Sequence, residues 1–521
     1  MILEYLDILM FLTLCVLILA GYPVIFTLTG VAIAFAGLGA LTGHITVSLL
    51  GALGQRIFGV MTNEVLVAIP LFVFMGIVLE RSKIAEELLD EMGRMFGRMR
   101  GGLAISVTLV GALLAASTGI VGATVVTMAL IALPTMLRHG YDVRLAAGTV
   151  VTAGTLGQII PPSTMLIILS EVMSTAFQQA QYEQGLFTVE TLSVGQIFAA
   201  ALLPGLTLVG LYLLYILARA ILTPGAAPPV TLADEGGRSG TRILRALVPP
   251  IALIIAVLGS ILGGVATPTE AASVGAVGAL LLAGFRLAPG RSNAPQWAAV
   301  GALVLIVVLA SITTIRPQRT DAGVAAIALS VLGVVLVLAA GWGILSSLSR
   351  AHAAGVLGNV VGRTMTISAM IFGTIIGASV FSLVFRGLGG DDHVEAVLAT
   401  MPGGEQGALL FSMALIFVLG FFLDFVEISV IVLPIIGPAL MLMGVDPIWL
   451  SMLIAINLQT SFLTPPFGFS LFYLRGAAPP EISTGSIYAG VMPFIALQIL
   501  GMLVVWLFPT LSTALPRLLF G

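Results

Sequence analysis

Charge is what this chain lacks most: Asp, Glu, Lys and Arg together supply 9% of its 521 residues, against about 25% in a soluble globular protein. Its 24 acidic and 21 basic residues cannot coat a water-soluble core of this size, while 59% of the residues are hydrophobic and mean hydropathy is +1.15. A polytopic integral membrane protein is the class that remains. Cysteine is reduced to Cys15 in an apolar run, which excludes an internal disulfide and argues against a zinc site or a thiol nucleophile. His44, His139, His352 and His393 show no metal spacing, and no phosphate-binding loop, nucleophile elbow or HExxH motif is present. Enzyme chemistry has no foothold, no cofactor is called for, and ATP is not the energy source. A net charge of −3 leaves no basic footprint for nucleic acid. A basic signal-peptide region is missing too: Glu4 and Asp7 stand there instead, so Met1 is expected to begin the mature protein.

What is there is a succession of apolar stretches, each long enough to cross about 30 Å of hydrocarbon. They predict an all-α protein with about twelve crossings, among them 146–176 and 447–474 read as single spans. Two further apolar segments, 104–137 and 409–443, are broken in the middle, at Ser117-Thr118-Gly119 and from Gly420 to Glu427. Both read as re-entrant helical hairpins. An even number of crossings puts both termini on one face, and basic residues choose it. With the termini outside, sixteen of the 21 basic residues face the cytoplasm, and only Arg56, Arg316, Arg319, Arg386 and Arg517 do not. The Pro/Gly-rich basic stretch 223–245 then becomes a cytoplasmic linker between two halves, 1–222 and 246–508, with 509–521 as a C-terminal tail.

Those halves repeat. A shift of 304 residues superposes Pro134 on Pro438, Gly140 on Gly444, Asp142 on Asp446, and Pro161-Pro162 on Pro465-Pro466, without a gap. Earlier in the halves the better shift is 245, bringing Pro23 onto Pro268 and Gly30 onto Gly275. The two shifts differ by 59, about two membrane helices, so 286–345 reads as a lipid-facing helix pair inserted into the second copy. An odd number of crossings separates corresponding points, which turns the second copy upside down. Inverted repeats with interrupted helices are the mark of secondary transporters, whose site lies at the membrane midplane.

A broken helix leaves backbone amides and carbonyls that must be satisfied by protein, water or an ion. In the first copy the candidates are Ser117, Thr118, Gly119, Gly122 and Thr124 at the hairpin tip, facing Thr152, Gly154, Thr155, Gly157 and Gln158 before Pro161. In the second they are Gly420 and Asp424 at the tip, with Asn457, Gln459, Thr460, Ser461 and Thr464 before Pro465. Hydroxyl and carbonyl oxygens among small residues suit dehydrated sodium, and half-helix N-termini suit a carboxylate. The competing reading is that Gly, Ser and Thr only permit close helix packing. Asp424 either ligates a cation or accepts amides that shape the tip, and Glu427, one turn on, is placed at the site or at the external surface. Glu270 follows Thr267-Pro268-Thr269 and is expected at a helix start. The charged stretch 80–102 reads as a solvated cytoplasmic connector.

Several strings carry a family resemblance: Gly76-Ile77-Val78-Leu79-Glu80-Arg81-Ser82, Gly140-Tyr141-Asp142, Gly154-Thr155-Leu156-Gly157-Gln158-Ile159-Ile160-Pro161-Pro162-Ser163, Thr267-Pro268-Thr269-Glu270-Ala271-Ala272 and Leu463-Thr464-Pro465-Pro466-Phe467-Gly468. The chain resembles the large membrane subunit of the tripartite ATP-independent periplasmic (TRAP) transporters over essentially its whole length. Its first hairpin tip, its extra helix pair and the strings Phe422 to Glu427 and Asn457 to Phe462 resemble the subgroup labelled mannitol/chloroaromatic-type, some members of which are associated with 2-oxo acids. The resemblance implies an elevator-type, sodium-driven importer of organic acids in the bacterial inner membrane. It also implies two partners: a periplasmic solute-binding protein and a small four-helix membrane subunit encoded as a separate chain.

Two other functions compete. A self-sufficient sodium/anion carrier of the divalent-anion type shares the hairpins but needs no binding protein. A channel or the membrane subunit of a redox complex would need a continuous polar pore or buried lysines, and no lysine lies in an expected span.

Overall fold

Apolar sequence this long, with Pro and Gly as its main punctuation, folds into helices because a backbone in hydrocarbon must satisfy its own hydrogen bonds. The computed structural model describes residues 5–118, 121–230, 239–288, 290–312 and 324–521, and among them every regular element is helical. The first half runs α1 (Leu6–Leu19), α2 (Val24–Thr42), a 3-10 turn (Val47–Ala52), α3 (Leu53–Met61), α4 (Glu64–Arg81) and α5 (Ile84–Phe96). It continues with α6 (Gly102–Thr118), α7 (Val121–Arg138), α8 (Val143–Thr155) ending in a 3-10 turn (Leu156–Gln158), α9 (Thr164–Glu183) and α10 (Val194–Leu222). The second half opens with α11 (Ser239–Leu262), α12 (Pro268–Arg286), α13 (Ala294–Ile312), α14 (Val324–Ala353), α15 (Val356–Gly387) and α16 (Gly390–Ala399). After these come α17 (Gly404–Leu419), α18 (Phe425–Ile431), α19 (Leu433–Leu442), α20 (Pro447–Leu463), α21 (Phe469–Ala477), α22 (Thr484–Leu507) and α23 (Thr510–Phe520).

Among the described residues, seven helices are long and apolar enough to cross a membrane, or nine if each of two bent pairs counts as one span. Twelve expected crossings are not all continuous helices because hydropathy does not register a break. The stretches 146–176 and 447–474 are each two helices, parted by residues 156–163 and 464–468. Six shorter apolar helices, α1 and α17 among them, complete the set.

Several boundaries differ from those expected. Helix α11 already begins at Ser239, so the connection after α10 is shorter than 223–245; residues 231–238 lie outside the described residues. The inserted pair extends past 345, since α14 continues to Ala353, and Arg316 and Arg319 in its turn are likewise outside the described residues. The 509–521 tail is helix α23: its Phe520 ring packs on Gly195 of α10, and Arg517 Nη2 lies 3.9 Å from Asp446 Oδ2.

Capping explains several starts. Asn63, Asp142 and Asp446 each accept two backbone amides at the heads of α4, α8 and α20. Thr267 and Glu270 form a reciprocal capping box on α12, the helix-start role expected of Glu270. The second hairpin's second arm kinks by 55° between α18 and α19, where Pro434 is the second residue of α19. Helix α14 is the least covered of the seven long helices, 17% of its apolar window being buried. It is nevertheless tied down at its end. Buried Arg350 donates from Nη1 to Gly284 O (2.8 Å) and Asn293 Oδ1 (2.7 Å), and from Nη2 to Ser292 O. Beside it Ser347 closes on Gly284, where no Cβ would fit.

Candidate functional site

Helix boundaries around the two breaks keep one spacing. Val121 and Arg138 bound α7, Phe425 and Leu442 bound α18 with α19, and Val143 and Pro447 open α8 and α20, so each boundary falls 304 residues after its counterpart. Pro161-Pro162 and Pro465-Pro466 are both cis. Each break is closed by a serine beyond it. Ser163 Oγ donates to Gln158 O at 2.9 Å, and Ser470 Oγ donates to Phe462 O. The two serines are not equivalent in the repeat, but the carbonyls they serve, 158 and 462, are.

Helices α8 and α20 carry the site into the interior: Leu145 to Thr155 and Trp449 to Leu463 are buried without exception. They meet at one polar contact, Gln459 Nε2 donating to Thr155 Oγ1 at 3.3 Å. These two residues are themselves 304 apart. Positions related by a two-fold rotation touch each other only beside its axis, so this contact is where an axis relating the two copies would run. Thr155 Oγ1 in turn donates to Thr152 O at 2.9 Å. Around this contact several buried polar atoms have no protein partner: Thr149 Oγ1, Thr152 Oγ1, both amide atoms of Gln158, and Gln459 Oε1. Buried polar groups ordinarily find partners, so the orphans on α8, in the 3-10 turn and on Gln459 are candidate positions for a polar ligand. Four of these atoms are oxygens that can face a cation, and Gln158 Nε2 is a donor that can face a carboxylate.

Each hairpin is held against its own broken helix by a close approach. In the first copy a Cβ on Gly154 would lie 2.5 Å from Val125 Cγ2 and 3.0 Å from Val125 Cα, which sets α8 directly on the backbone of α7. In the second, a Cβ on Gly420 would lie 2.3 Å from Ser461 Oγ. Two rungs lock α20 to α17 there: Asn457 Nδ2 donates to Met413 O (2.7 Å) and Ser461 Oγ to Phe417 O (2.9 Å). The copies also interlock. Tyr473 of α21 lays its ring on Gly122 at the first hairpin's tip, and α19 of the second hairpin packs along α9, with Gly437 against Ala176.

The remaining expected residues take more local roles. Ser117 and Thr118 end α6, Gly119 lies outside the described residues, and Thr124 is buried in the first turn of α7. Gly157 sits in the 3-10 turn, four residues before Pro161. Thr460 and Thr464 donate to carbonyls one turn back, Ile456 O and Thr460 O, which leaves their lone pairs free to accept. Asp424 is the N-cap of α18. Its Oδ1 accepts Phe425 N–H at 2.7 Å, and Glu427 Oε2 accepts Asp424 N–H at 3.0 Å, so the pair forms a capping box. Of the two roles open to Asp424 in the sequence, shaping the tip is the one seen. Glu427 stays at the tip with it. Among the described residues no three His, Cys, Asp or Glu side chains converge on a metal position.

Glu171 and Thr149 were not expected. Glu171 Oε1 accepts from Asn63 Nδ2 at 2.7 Å, while Asn63 Oδ1 caps α4 at its 48° bend from α3. The signal for Glu171 was present, a carboxylate inside an apolar stretch, but hydropathy averaging hid it. Thr149 gave no signal beyond its threonine spacing with Thr152 and Thr155.

Comparison with known proteins gives the chain a family. The family model "Tripartite ATP-independent periplasmic transporter, DctM component" matches residues 11–292 and 288–511. The C4-dicarboxylate TRAP transporter large permease protein DctM of Vibrio cholerae is 27% identical over 98% of this chain and 98% of its own length. The ectoine/5-hydroxyectoine TRAP transporter large permease protein UehC of Ruegeria pomeroyi is 24% identical over 98% and 99%. In fold, the chain is similar to the Alcanivorax borkumensis YdaH transporter, with a TM-score of 0.52 at 17% identity over 90% of this chain and 88% of that one.

Proposed function

We propose, from the premise that this chain belongs to the DctM component of the tripartite ATP-independent periplasmic transporters, that it imports a small organic acid across the bacterial inner membrane together with sodium. As a member of that family it is a multi-pass transport subunit, the large permease, and not an enzyme. In this reading a periplasmic solute-binding protein delivers the acid, and a small four-helix membrane subunit is the second partner. The curated relatives' names, which speak of C4-dicarboxylates and of ectoine, support an organic acid or similar small solute.

One observation carries the reading: Gln459 is bonded to Thr155, its counterpart 304 residues earlier, and both stand among orphaned oxygens of Thr152, Gln158 and Gln459 itself. An inverted repeat sets its two-fold axis in the membrane plane, so both breaks fall at the midplane and share one ligand space. Sodium, as cargo, takes oxygens from Thr152, Gln158 and Gln459 and from the Asp424 tip, because protein oxygens must replace the water it sheds. The acid's carboxylate takes the N-terminal end of α7 and Gln158 Nε2. The hairpins, the broken helices and their cargo then cross as one block against α4 and α15, with both chain termini periplasmic.

The test is uptake in proteoliposomes holding both membrane subunits, with binding protein and acid in excess, against external sodium. Thr155→Ala is expected to raise the sodium requirement severalfold with insertion retained. Uptake indifferent to sodium in the parent overturns the coupling, and an unchanged requirement in the variant removes Thr155 from the site.

A further inference from the structure

Helix α19 carries a gap written in its sequence. Pro438 has no N–H, so the carbonyl of Pro434, one turn earlier, cannot make its i+4 helical bond. A carbonyl left bare away from water is costly, and a donor from another element relieves it. That donor is Arg386, near the end of α15, whose Nη2 donates to Pro434 O at 3.3 Å. The guanidinium is aimed by its neighbours. Asp391 Oδ2, in the first turn of α16, lies 3.2 Å from Arg386 Nε. Gln179 of α9 joins the two, its Oε1 accepting from Arg386 Nη2 and its Nε2 donating to Asp391 Oδ2 at 3.3 Å. One side chain thus ties α15 and α16 to α9 and to the second arm of the second hairpin. Farther back on α9, Glu171 makes a tie to α4 through Asn63.

The first copy has the same gap and a different residue beside it. Pro134 frees Leu130 O in α7 as Pro438 frees Pro434 O, and the two carbonyls stand 304 residues apart. The residue 304 before Arg386 is Ser82, and its hydroxyl turns back to Leu79 O at 3.0 Å. Were the copies identical, exchanging their arrangements would convert one end state of the transporter into the other at no difference in energy. A tie made by one copy and not repeated in the other removes that equality.

We propose that Arg386 is a positioning residue of transport: it holds α9 and the second hairpin in the alignment of this structure, and it must release Pro434 O before the block can cross. This rests on the block movement proposed above and adds to it a preferred resting alignment. A slide of the hairpins and α9 against α15 carries Pro434 O and Gln179 away from a guanidinium that Asp391 keeps in place. Hydrogen bonds weaken steeply with distance and angle, so the tie acts in one alignment only.

The test is the distance between spin labels on Met365→Cys, in α15, and Leu410→Cys, in α17 of the second hairpin, both exposed positions. It is measured by pulsed electron resonance on the Cys15→Ser full chain with its small subunit in nanodiscs. Two separations are expected, with that of the present alignment predominating. Arg386→Met should lower the ratio of that population to the other about tenfold or more, the worth of a hydrogen bond to a charged group, and Arg386→Lys should restore part of it. Gln179→Leu, which leaves the ion pair of Arg386 with Asp391 intact, should shift the ratio the same way by severalfold, and decides alone if Arg386→Met does not fold. Ser82→Ala should leave it unchanged. Two populations in a ratio that neither Arg386→Met nor Gln179→Leu alters overturn the proposal, as does an equal shift with Ser82→Ala. One fixed separation in the parent and every variant, under conditions where sodium-driven uptake proceeds, overturns the block movement itself.

Discussion

The two copies reach the same broken-helix geometry by placing their small residues on opposite partners. At the first break the small residues are on the helix: Gly154 lies on α7, and Gly157 follows in the 3-10 turn. Their counterparts in α20 are Leu458 and Ser461, and in the second copy the room is made by the hairpin's Gly420, against Ser461. The framework differs in the same spirit. Helices α3 and α4 meet at a 48° bend, whereas the stretch 304 residues later is the continuous α15. Close approach is what the architecture requires, and which chain supplies the glycine is free to vary.

That comparison can be broken most severely by exchanging the residues. Gly154→Leu, which gives the first copy the second copy's side chain, drives a Cβ into Val125 and is expected to abolish uptake and destabilise by about 3 kcal/mol or more. Uptake and melting temperature check it, and a tolerated leucine would mean that α7 yields. Arg350→Met examines the inserted pair, which has no counterpart in the first copy. It strips the donor from three oxygens, with an expected cost of about 2–3 kcal/mol, seen as a lower melting temperature in detergent. A smaller effect tests the axis itself. Thr155→Ala and Gln459→Ala should each cost about 1 kcal/mol, and the double variant should fall short of additivity by about 0.5 kcal/mol or more. Additive losses would mean that the contact contributes nothing. The smallest stability change belongs to Asp424→Asn. Asparagine caps as well as aspartate, so a change of only a few tenths of a kcal/mol is expected, while the sodium concentration for half-maximal uptake rises severalfold because the charge is gone. An unchanged sodium response would leave Asp424 as a cap alone.

Much of the fold was legible because its punctuation is chemical. Pro161-Pro162 and Pro465-Pro466 cannot continue a helix, and Gly140 and Gly444 take up positive φ at the turns that Asp142 and Asp446 then cap. Composition alone placed the chain in a membrane. The site was legible as a neighbourhood but not as a set of bonds. Asn457 reads as a possible ligand through its Oδ1, and its Nδ2 has a second use, on Met413 O, a backbone carbonyl that no side-chain pattern reveals. Asp424 reads equally as ligand or cap, since both uses require a carboxylate at a helix start. Glu171 escaped because its apolar neighbours outweigh one charge in a window average, and the bend at Asn63 because capping and helix continuation look alike until the partner is known.

Arg350 also sets an order of events. The chain emerges N-terminus first, so Gly284 O, Ser292 O and Asn293 precede by 66, 58 and 57 residues of synthesis the guanidinium that satisfies them. During that interval the junction between α12 and α13 lacks the donor that its oxygens meet in the folded chain. The arrival of α14 closes it from the far end, as a clasp does. Ribosome-stalled chains short enough to keep Arg350 in the exit tunnel and chains long enough to have released it should therefore differ in how firmly the α12–α13 junction resists protease, although both have that junction outside the tunnel.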